Sequence, residues 1–421
     1  EETMKKLLIA VLCLMLTGCA APAPSDGSGP DRSVSPDIPA PSPAASSAPN
    51  GESGPPQASP ETDPETAENP SASQEPSESS LGPQNQEQII QELLSAMTLE
   101  EKVGQMFFVR CPETGGAELA AQYKVGGYLL FGRDFKDKTA QQVRDDIQSY
   151  QDASGIPLLI GTDEEGGTVV RASSNPDLFP QREPAPQTLF AQGGMDLILQ
   201  DARQKSMTLL DLGVNVNFAP VADVSTDPAD FIYARSFGQD AQATANYVAQ
   251  VVGVMGEEQI GSVLKHFPGY GNNVDTHTGI ALDQRPYETF QTSDFLPFQA
   301  GIQAGADAVL VSHNIAASMD ESLPASLSPT VHKILREELG FDGVVLTDDL
   351  AMDAVMEYAQ NGSAAVLAIQ AGNDMVVTTD FQTQIPQVIH AVQSGVIAES
   401  QIDQAVTRVL NWKYELGLLG N

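Results

Sequence analysis

Residues 328–348, SPTVHKILREELGFDGVVLTD, combine one predicted helix with one predicted strand. In the first part, Ser328 to Leu339, the spacing of the apolar residues is that of an amphipathic helix. The second part, Gly343 to Asp348, is a short apolar run rich in β-branched residues, which is typical of a buried strand. Alternating helices and strands are the repeating unit of parallel α/β folds, so the question is how often this unit recurs.

Eight such apolar runs occur along the chain, and helical segments separate them. The runs are Met106–Cys111, Gly127–Phe131, Pro157–Asp163, Val214–Val221, Ser262–Phe267, Ala308–His313, Gly343–Asp348 and Met375–Thr379. The amphipathic segments include Thr139–Ala153, Asp196–Leu212, Asp240–Glu258, Ser293–Ala304 and Ser328–Leu339. Eight strands separated by helices predict an α/β protein with a single (β/α)8 barrel of the TIM type. An open doubly wound sheet is the alternative, disfavoured because no glycine-rich phosphate loop follows the first run.

The overall charge limits the possible partners. The chain of 421 residues has 21 Lys and Arg against 56 Asp and Glu, a formal net charge of −35. Phosphates would not be attracted to such an acidic protein, so we expect no nucleic acid partner. We expect the protein to be a monomer.

The first residues resemble a targeting signal. Lys5 and Lys6 precede the apolar run Leu7 to Leu16, as in a secretory signal peptide. The following Thr17-Gly18-Cys19 completes a sequence that resembles the lipobox of bacterial lipoproteins, where cleavage before the cysteine leaves it lipidated. We therefore expect residues 1–19 to be a signal and Cys19 to anchor an extracytoplasmic protein to the membrane. An ordinary secretory signal with an incidental cysteine is the alternative.

A low-complexity segment follows the signal. Residues 20–86 consist mainly of Pro, Ser, Ala, Gly and Glu, which predicts a disordered linker before a folded barrel over residues 87–421. Of the three cysteines, Cys13 lies in the signal and Cys19 would carry lipid. Cys111 is then the remaining one, so we expect no intramolecular disulfide and a buried, apolar role for Cys111.

Unusual polar residues cluster where the predicted strands end, which in a barrel is the side that carries the chemistry. The third, fifth, sixth and seventh runs lead into Thr162–Gly167 with Arg171, Lys265–Gly271 with Asp275 and His277, Ser312–His313, and Thr347–Asp349. Each residue alone has a structural alternative: an ion pair, a surface lysine, or, for Asp349, a helix cap. Their common location favours a functional site.

These motifs carry a family resemblance. The tract KHFPGYGNNVDTHTG at 265–279, with TDEEGG upstream, ARSFG at 234–238 and TDDLAM at 347–352, resembles bacterial β-N-acetylglucosaminidases of glycoside hydrolase family 3. The resemblance covers Glu87 to Gly417. Tyr270 departs from the family pattern, because most relatives have His at this position. The position is not a catalytic one in the family, so the departure bears only on loop packing or on fine specificity.

The resemblance implies a retaining exo-hydrolase that removes terminal β-linked N-acetylglucosamine, with peptidoglycan fragments as the expected source. It makes Asp348 the nucleophile and His277 the acid/base, oriented by Asp275. A carboxylate bonded to an imidazole fixes the tautomer and raises its basicity, which suits proton transfer near neutral pH. The implied sugar-binding residues are Asp163, Arg171, Arg235, Lys265 and His266. No cofactor and no metal are implied, since no H-E-x-x-H or cysteine pattern joins the histidines.

Three other functions stay open at this point. A phosphorylase is conceivable because a neutral His repels incoming phosphate less than a carboxylate does. A glycan-binding lipoprotein without catalysis is a second, although Asp348, Asp275 and His277 are all present. A β-glucosidase is the third.

Overall fold

The computed structural model describes residues 83–273, 281–352, 355, 358 and 363–420. Eight parallel strands form a closed barrel. They are β1 Phe107–Arg110, β2 Gly127–Leu130, β3 Leu159–Thr162, β4 Val216–Asn217, β5 Gly261–Phe267, β7 Ala308–Val311, β9 Val344–Asp349 and β10 Met375–Thr378. Their spatial order around the barrel is β1-β10-β9-β7-β5-β4-β3-β2. Because β1 pairs with both β2 and β10, the predicted (β/α)8 barrel is confirmed and the open sheet is excluded.

Helices surround the barrel. They are α1 Pro83–Ala96, α2 Leu99–Gln105, α3 Gly116–Tyr123, α4 Gly132–Phe135, α5 Ala140–Asp152, α6 Pro186–Asp211, α7 Ala241–Glu257, α8 Tyr287–Thr289, α9 Phe295–Gln303, α10 Pro329–Lys333, α11 Ala364–Ala371, α12 Phe381–Gln393 and α13 Glu399–Glu415. Short 3₁₀ turns cover Ala172–Ser174 and Ala325–Leu327, and π turns cover Phe290–Asp294 and Ile334–Glu338. Two further strands, β6 Leu282–Asp283 and β8 Ile315–Ala316, pair with each other beside the barrel.

Some boundaries differ from the sequence prediction for local reasons. Helix α6 begins at Pro186 rather than at Asp196, because two helical segments join across Gly194, whose φ of 68° interrupts the helical backbone. The predicted start lies just after that interruption. Helix α1 begins at Pro83, slightly before the predicted domain start at Glu87, since proline is well suited to the first turn of a helix. The predicted signal and Cys19 lie outside the described residues.

The strands are buried on both faces. Phe108, Leu159 and Leu346 point into the barrel, and their chain neighbours pack against the helices. This double burial explains why the strands are continuous apolar runs without alternation. At the amino-terminal end of the barrel, the side chain of Trp412 from α13 is 2% exposed and lies against Gly261, at the start of β5. An apolar plug therefore closes that end, which leaves the carboxyl end of the strands for a polar site.

Two further observations concern single features of the fold. Cys111 is fully buried in the apolar core, as predicted, and burial raises the pKa of its thiol to about 12. None of the helices in the described ranges is long and apolar enough to cross a lipid bilayer.

Candidate active site

A cavity of about 340 Å³ opens at the carboxyl ends of the barrel strands. Its polar lining residues are Arg110, Asp163, Glu165, Arg171, Arg235, Lys265, His266, Asp348 and Asp349. The fold thus brings the predicted nucleophile Asp348 together with every predicted sugar-binding residue. The predicted dyad, Asp275 and His277, lies outside the described residues.

The segment after β3 is shaped by a buried carboxylate. Oε2 of Glu164 accepts hydrogen bonds from the backbone N–H groups of Arg171 at 3.0 Å and Ala172 at 2.7 Å, and its Oε1 accepts one from the Ser173 hydroxyl at 2.5 Å. Gly166 makes this fold possible: its φ is 95°, and a Cβ there would lie 2.2 Å from the Pro184 carbonyl oxygen. The segment consequently folds back and places Arg171 beside the strand end.

Oppositely charged side chains form a buried network in the cavity wall. Nζ of Lys265 lies 2.7 Å from Oδ1 of Asp163 and 2.5 Å from Oε1 of Glu165. Arg235 donates two hydrogen bonds to Glu165, of 2.9 and 2.7 Å, and Arg171 lies 3.4 Å from Asp163. Burial opposes ionisation of Glu165, but the charges of Lys265 and Arg235 outweigh it and hold the pKa of Glu165 well below its usual value.

His266 is fixed in orientation and tautomer. Its Nδ1 lies 2.7 Å from Oδ2 of Asp223, and its Nε2 lies 3.0 Å from Nη2 of Arg235. A guanidinium only donates hydrogen bonds, so we assign Nε2 of His266 as the acceptor from Arg235 and Nδ1–H as the donor to Asp223. This assignment corresponds to the neutral imidazole of His266. Asp223 also accepts from the backbone N–H of Tyr270 at 2.7 Å. Consequently one carboxylate orients both the histidine and the loop that follows it.

Tyr270, the departure from the family pattern, packs inside the protein. Its side chain is 1% exposed, and its ring lies edge to face with His266 at 5.1 Å. It contacts Phe231 on another side at 5.8 Å. The residue therefore supports the ring of His266 from behind.

The two adjacent aspartates after β9 have different surroundings. Oδ1 of Asp348 accepts from the backbone N–H of Asp349 at 2.8 Å. Oδ1 of Asp349 accepts from the backbone N–H of Ala351 at 2.9 Å, a bond that closes a turn; residues 350–352 form a turn and a bend, so no helix begins at Leu350 for Asp349 to cap. Burial, and to a smaller extent the charge of Asp348, raise the pKa of Asp349. Both carboxylates line the cavity, but that of Asp349 also holds the turn.

His313, which the sequence places at the end of the sixth run, supports the strand ends. It is fully buried; its Nδ1 lies 2.7 Å from Oγ of Ser326, and its Nε2 lies 3.0 Å from the carbonyl oxygen of Asp349. The arrangement assigns Nε2–H as the donor to that carbonyl. His313 thus fixes the backbone next to Asp348.

Sequence reasoning missed three residues of this site. Glu165 lies in the quoted TDEEGG motif, two residues after Asp163, and pairs with Lys265 and Arg235. Asp223 follows the fourth apolar run by two residues, the same strand-end signal that identified the others. Arg110 is the basic residue inside the first run, Met106–Cys111, and a charge within an otherwise apolar run is the signal that identifies it.

No group of three or more His, Cys, Asp or Glu side chains within the described ranges is arranged to hold a metal ion. What the cavity offers instead is a set of carboxylates and cations at fixed positions. Carboxylates accept hydrogen bonds from hydroxyl groups, and ammonium and guanidinium groups donate to them. The site is therefore suited to a polyhydroxylated ligand, and its volume lies within the range of about 300–1,000 Å³ that small-molecule sites occupy.

Comparison with known proteins places this site in context. Residues 98–412 match the glycosyl hydrolase family 3 N-terminal domain. A β-hexosaminidase of Stenotrophomonas maltophilia (strain R551-3) is 35% identical over 318 residues, which cover 72% of this chain and 89% of that protein.

Solved structures agree with this match. A family 3 β-N-acetylglucosaminidase from Paenibacillus sp. FPU-7 superposes with a TM-score of 0.72 at 31% identity, covering 77% of this chain but only 64% of that one. A β-N-acetylhexosaminidase from Beutenbergia cavernae superposes with a TM-score of 0.66 at 28% identity, covering 75% of this chain and 98% of that one.

Proposed function

The chain belongs to glycosyl hydrolase family 3, as its KHFPG tract predicts, and we propose that it is a retaining exo-β-N-acetylglucosaminidase. It is a glycoside hydrolase whose relatives include β-hexosaminidases. The observation that carries the proposal is the placement of Asp348 in the wall of a cavity whose other polar residues suit sugar hydroxyls. The substrate is a glycan that ends in β-linked N-acetylglucosamine.

The sugar-binding part of the proposal follows from the charged network. The carboxylate of Asp163 accepts from sugar hydroxyls, while Lys265 and Arg171 donate to neighbouring oxygens. Because Lys265 is held by Asp163 and Glu165, its ammonium is in position before the substrate arrives. Prior positioning of this kind lowers the entropic cost of binding and of reaching the transition state.

The chemical step would occur in two displacements. In the first, a carboxylate oxygen of Asp348 bonds to the anomeric carbon while the glycosidic bond breaks, and the leaving oxygen takes a proton from His277. In the second, His277 removes a proton from water, the water oxygen bonds to the anomeric carbon, and Asp348 is released. The strand end that carries Asp348 is fixed through His313, which suits a group that must attack in one geometry.

The source of the substrate is the finer part of the proposal. A signal with a lipobox at Cys19 would place the enzyme outside the cytoplasmic membrane, next to peptidoglycan. We propose that terminal N-acetylglucosamine of peptidoglycan fragments is the natural substrate. Fractionation of cells that produce either the wild-type chain or the Cys19→Ala variant tests the anchor. The wild-type chain should stay with the membranes. Release of both proteins without detergent would contradict the lipid anchor.

The activity itself is tested with 4-nitrophenyl glycosides. The protein should release nitrophenol from the β-N-acetylglucosaminide much faster than from the β-glucoside, and Asp348→Ala should not release it. Product analysis with and without phosphate distinguishes hydrolysis from phosphorolysis. N-acetylglucosamine 1-phosphate as the main product would make the protein a phosphorylase. Binding of the sugar without turnover would make it a glycan-binding protein, and a preference for the glucoside would make it a β-glucosidase.

A further inference from the structure

Arg110 lines the cavity from the end of β1, at a position that the proposed mechanism does not use. Its guanidinium carbon lies 4.3 Å from the centre of the Phe131 ring, which follows β2. Arg171 approaches the same ring at 5.2 Å, so Arg110 lies at the border of the sugar-binding network. The aromatic contact holds the guanidinium in place without using its hydrogen-bond donors.

The other cations of the cavity already face carboxylates. Lys265 pairs with Asp163 and Glu165, Arg235 pairs with Glu165, and Arg171 pairs with Asp163. Within the described ranges, Arg110 has no carboxylate at ion-pair distance, and its Nε is buried without a hydrogen-bond partner. Its charge acts to lower the pKa of two carboxyl groups, those of Asp349 and Asp134, without forming an ion pair with either. The Nε of Arg171 is buried without a hydrogen-bond partner as well, but Arg171 pairs with Asp163. Among the cavity cations of the described chain, Arg110 is thus the one without an ion-paired carboxylate.

A partly desolvated guanidinium without an anion is costly, and a ligand that supplies the anion recovers that cost. The planar guanidinium matches a carboxylate with two parallel hydrogen bonds, so a carboxylate is the group that fits best. N-acetylglucosamine carries no charge, which means that the carboxylate must belong to the leaving group.

Resting on the proposed function, we infer that Arg110 is a specificity-determining residue that binds a carboxylate of the leaving-group sugar. N-acetylmuramic acid, with its lactyl carboxylate, is a leaving group of that chemistry. The neutral N-acetylglucosamine of chitin oligosaccharides has the same ring and acetamide without the acid. Arg110 then favours peptidoglycan fragments over chitin fragments at the same catalytic centre.

The experiment compares kcat/KM for two disaccharides with the same β-1,4 linkage, N-acetylglucosaminyl-N-acetylmuramic acid and N,N′-diacetylchitobiose. Arg110→Met should lower kcat/KM for the acidic disaccharide by about 10- to 100-fold and change that for chitobiose by less than about threefold. Arg110→Lys, which keeps the charge, should lie between the wild type and Arg110→Met. Arg144→Met serves as the matched control, since Arg144 is on the outer surface of α5 and pairs with Asp211.

A second comparison removes the charge from the substrate instead. For the wild type, esterification of the acidic disaccharide should lower kcat/KM by the same factor as the Arg110→Met substitution does for the free acid. The Arg110→Met variant should cleave the acid and its methyl ester with equal kcat/KM. Equal losses on the acidic and neutral disaccharides, or no effect of esterification, would overturn the assignment of Arg110 while leaving the hydrolase intact. If the wild type cleaves no substrate with terminal β-N-acetylglucosamine, the proposed function fails and this inference fails with it.

Discussion

Lys265 and Glu165 form an ion pair of 2.5 Å in which each side chain exposes only 2% of its surface. The same ammonium is 2.7 Å from Asp163, so one lysine compensates two carboxylates in the wall of the cavity. Breaking a buried pair on one side leaves a desolvated charge, which costs more than the pair itself contributes. This relationship makes Lys265 important for both stability and sugar binding.

We therefore expect Lys265→Met to lower the free energy of unfolding by about 3–5 kcal/mol and to weaken substrate binding. Lys138→Met is the control, because its ammonium pairs with Asp146 at 2.7 Å on the surface, where such pairs contribute up to about 1 kcal/mol. Urea unfolding of both variants measures the difference. Similar losses for the two variants would show that the buried network carries no special energy.

The two aspartates after β9 should differ in their effects. Asp348→Ala should abolish turnover, whereas Asp349→Ala should mainly reduce stability, by about 0.5–2 kcal/mol, because it removes the acceptor for the Ala351 N–H. Steady-state rates and thermal unfolding of both purified variants provide the test. If the Asp349→Ala variant is folded but inactive while Asp348→Ala keeps its rate, the assignment is reversed.

His277→Ala should discriminate between leaving groups. A proton donor is needed most when the leaving group is poor, so unactivated disaccharides should lose far more rate than 4-nitrophenyl glycosides. The second displacement should be slow as well, and added azide should rescue the activated substrate and give a glycosyl azide. Asp275→Ala should show the same pattern in milder form. A uniform rise in KM without azide product would instead make these residues part of a substrate-shaping loop.

Lys413 should give stability a defined pH dependence. Its side chain is fully buried, with Nζ 2.5 Å from Oε1 of Gln105, and burial lowers its pKa to about 7. Between about pH 7 and pH 10 the unfolded chain holds a proton that the folded protein has lost, so this group makes stability rise with pH, by at most roughly 1.4 kcal/mol per pH unit.

Lys413→Met should flatten that rise, as measured by urea unfolding at several pH values in this window. Lys333→Met is the control, because Lys333 is exposed on the surface and should leave the slope unchanged. Parallel curves for the wild type and Lys413→Met would mean that Lys413 keeps its proton in the folded state.

The barrel could be predicted because parallel strands buried on both faces leave an unmistakable apolar run in the sequence. Strands β6 and β8 could not, since Leu282–Asp283 and Ile315–Ala316 lie outside the apolar runs, and two residues alone show no period. The start of α6 at Pro186 was missed because Gly194 interrupts the helical pattern, although packing continues across it.

For the site, strand-end position was an adequate guide to Asp163, Lys265, His266 and Asp348, which the structure brings together. It did not find Arg110, because a single basic residue at the end of an apolar run resembles a solvent-exposed flank. What distinguishes Arg110 is that the other cavity cations have carboxylate partners and it has none at ion-pair distance among the described residues, and no spacing rule contains that property of three-dimensional packing.

Covalent trapping tests the central claim, that Asp348 attacks the anomeric carbon, most directly. The protein would be incubated with a 5-fluoro-N-acetylglucosaminyl fluoride, which reacts to form a glycosyl-enzyme. Water hydrolyses this intermediate only slowly, so it accumulates, and the modified peptide would be sequenced by mass spectrometry. We predict one sugar per chain, attached to Asp348 and missing from the Asp348→Ala variant. A sugar attached to Asp349, or no covalent adduct in an active enzyme, would contradict the account.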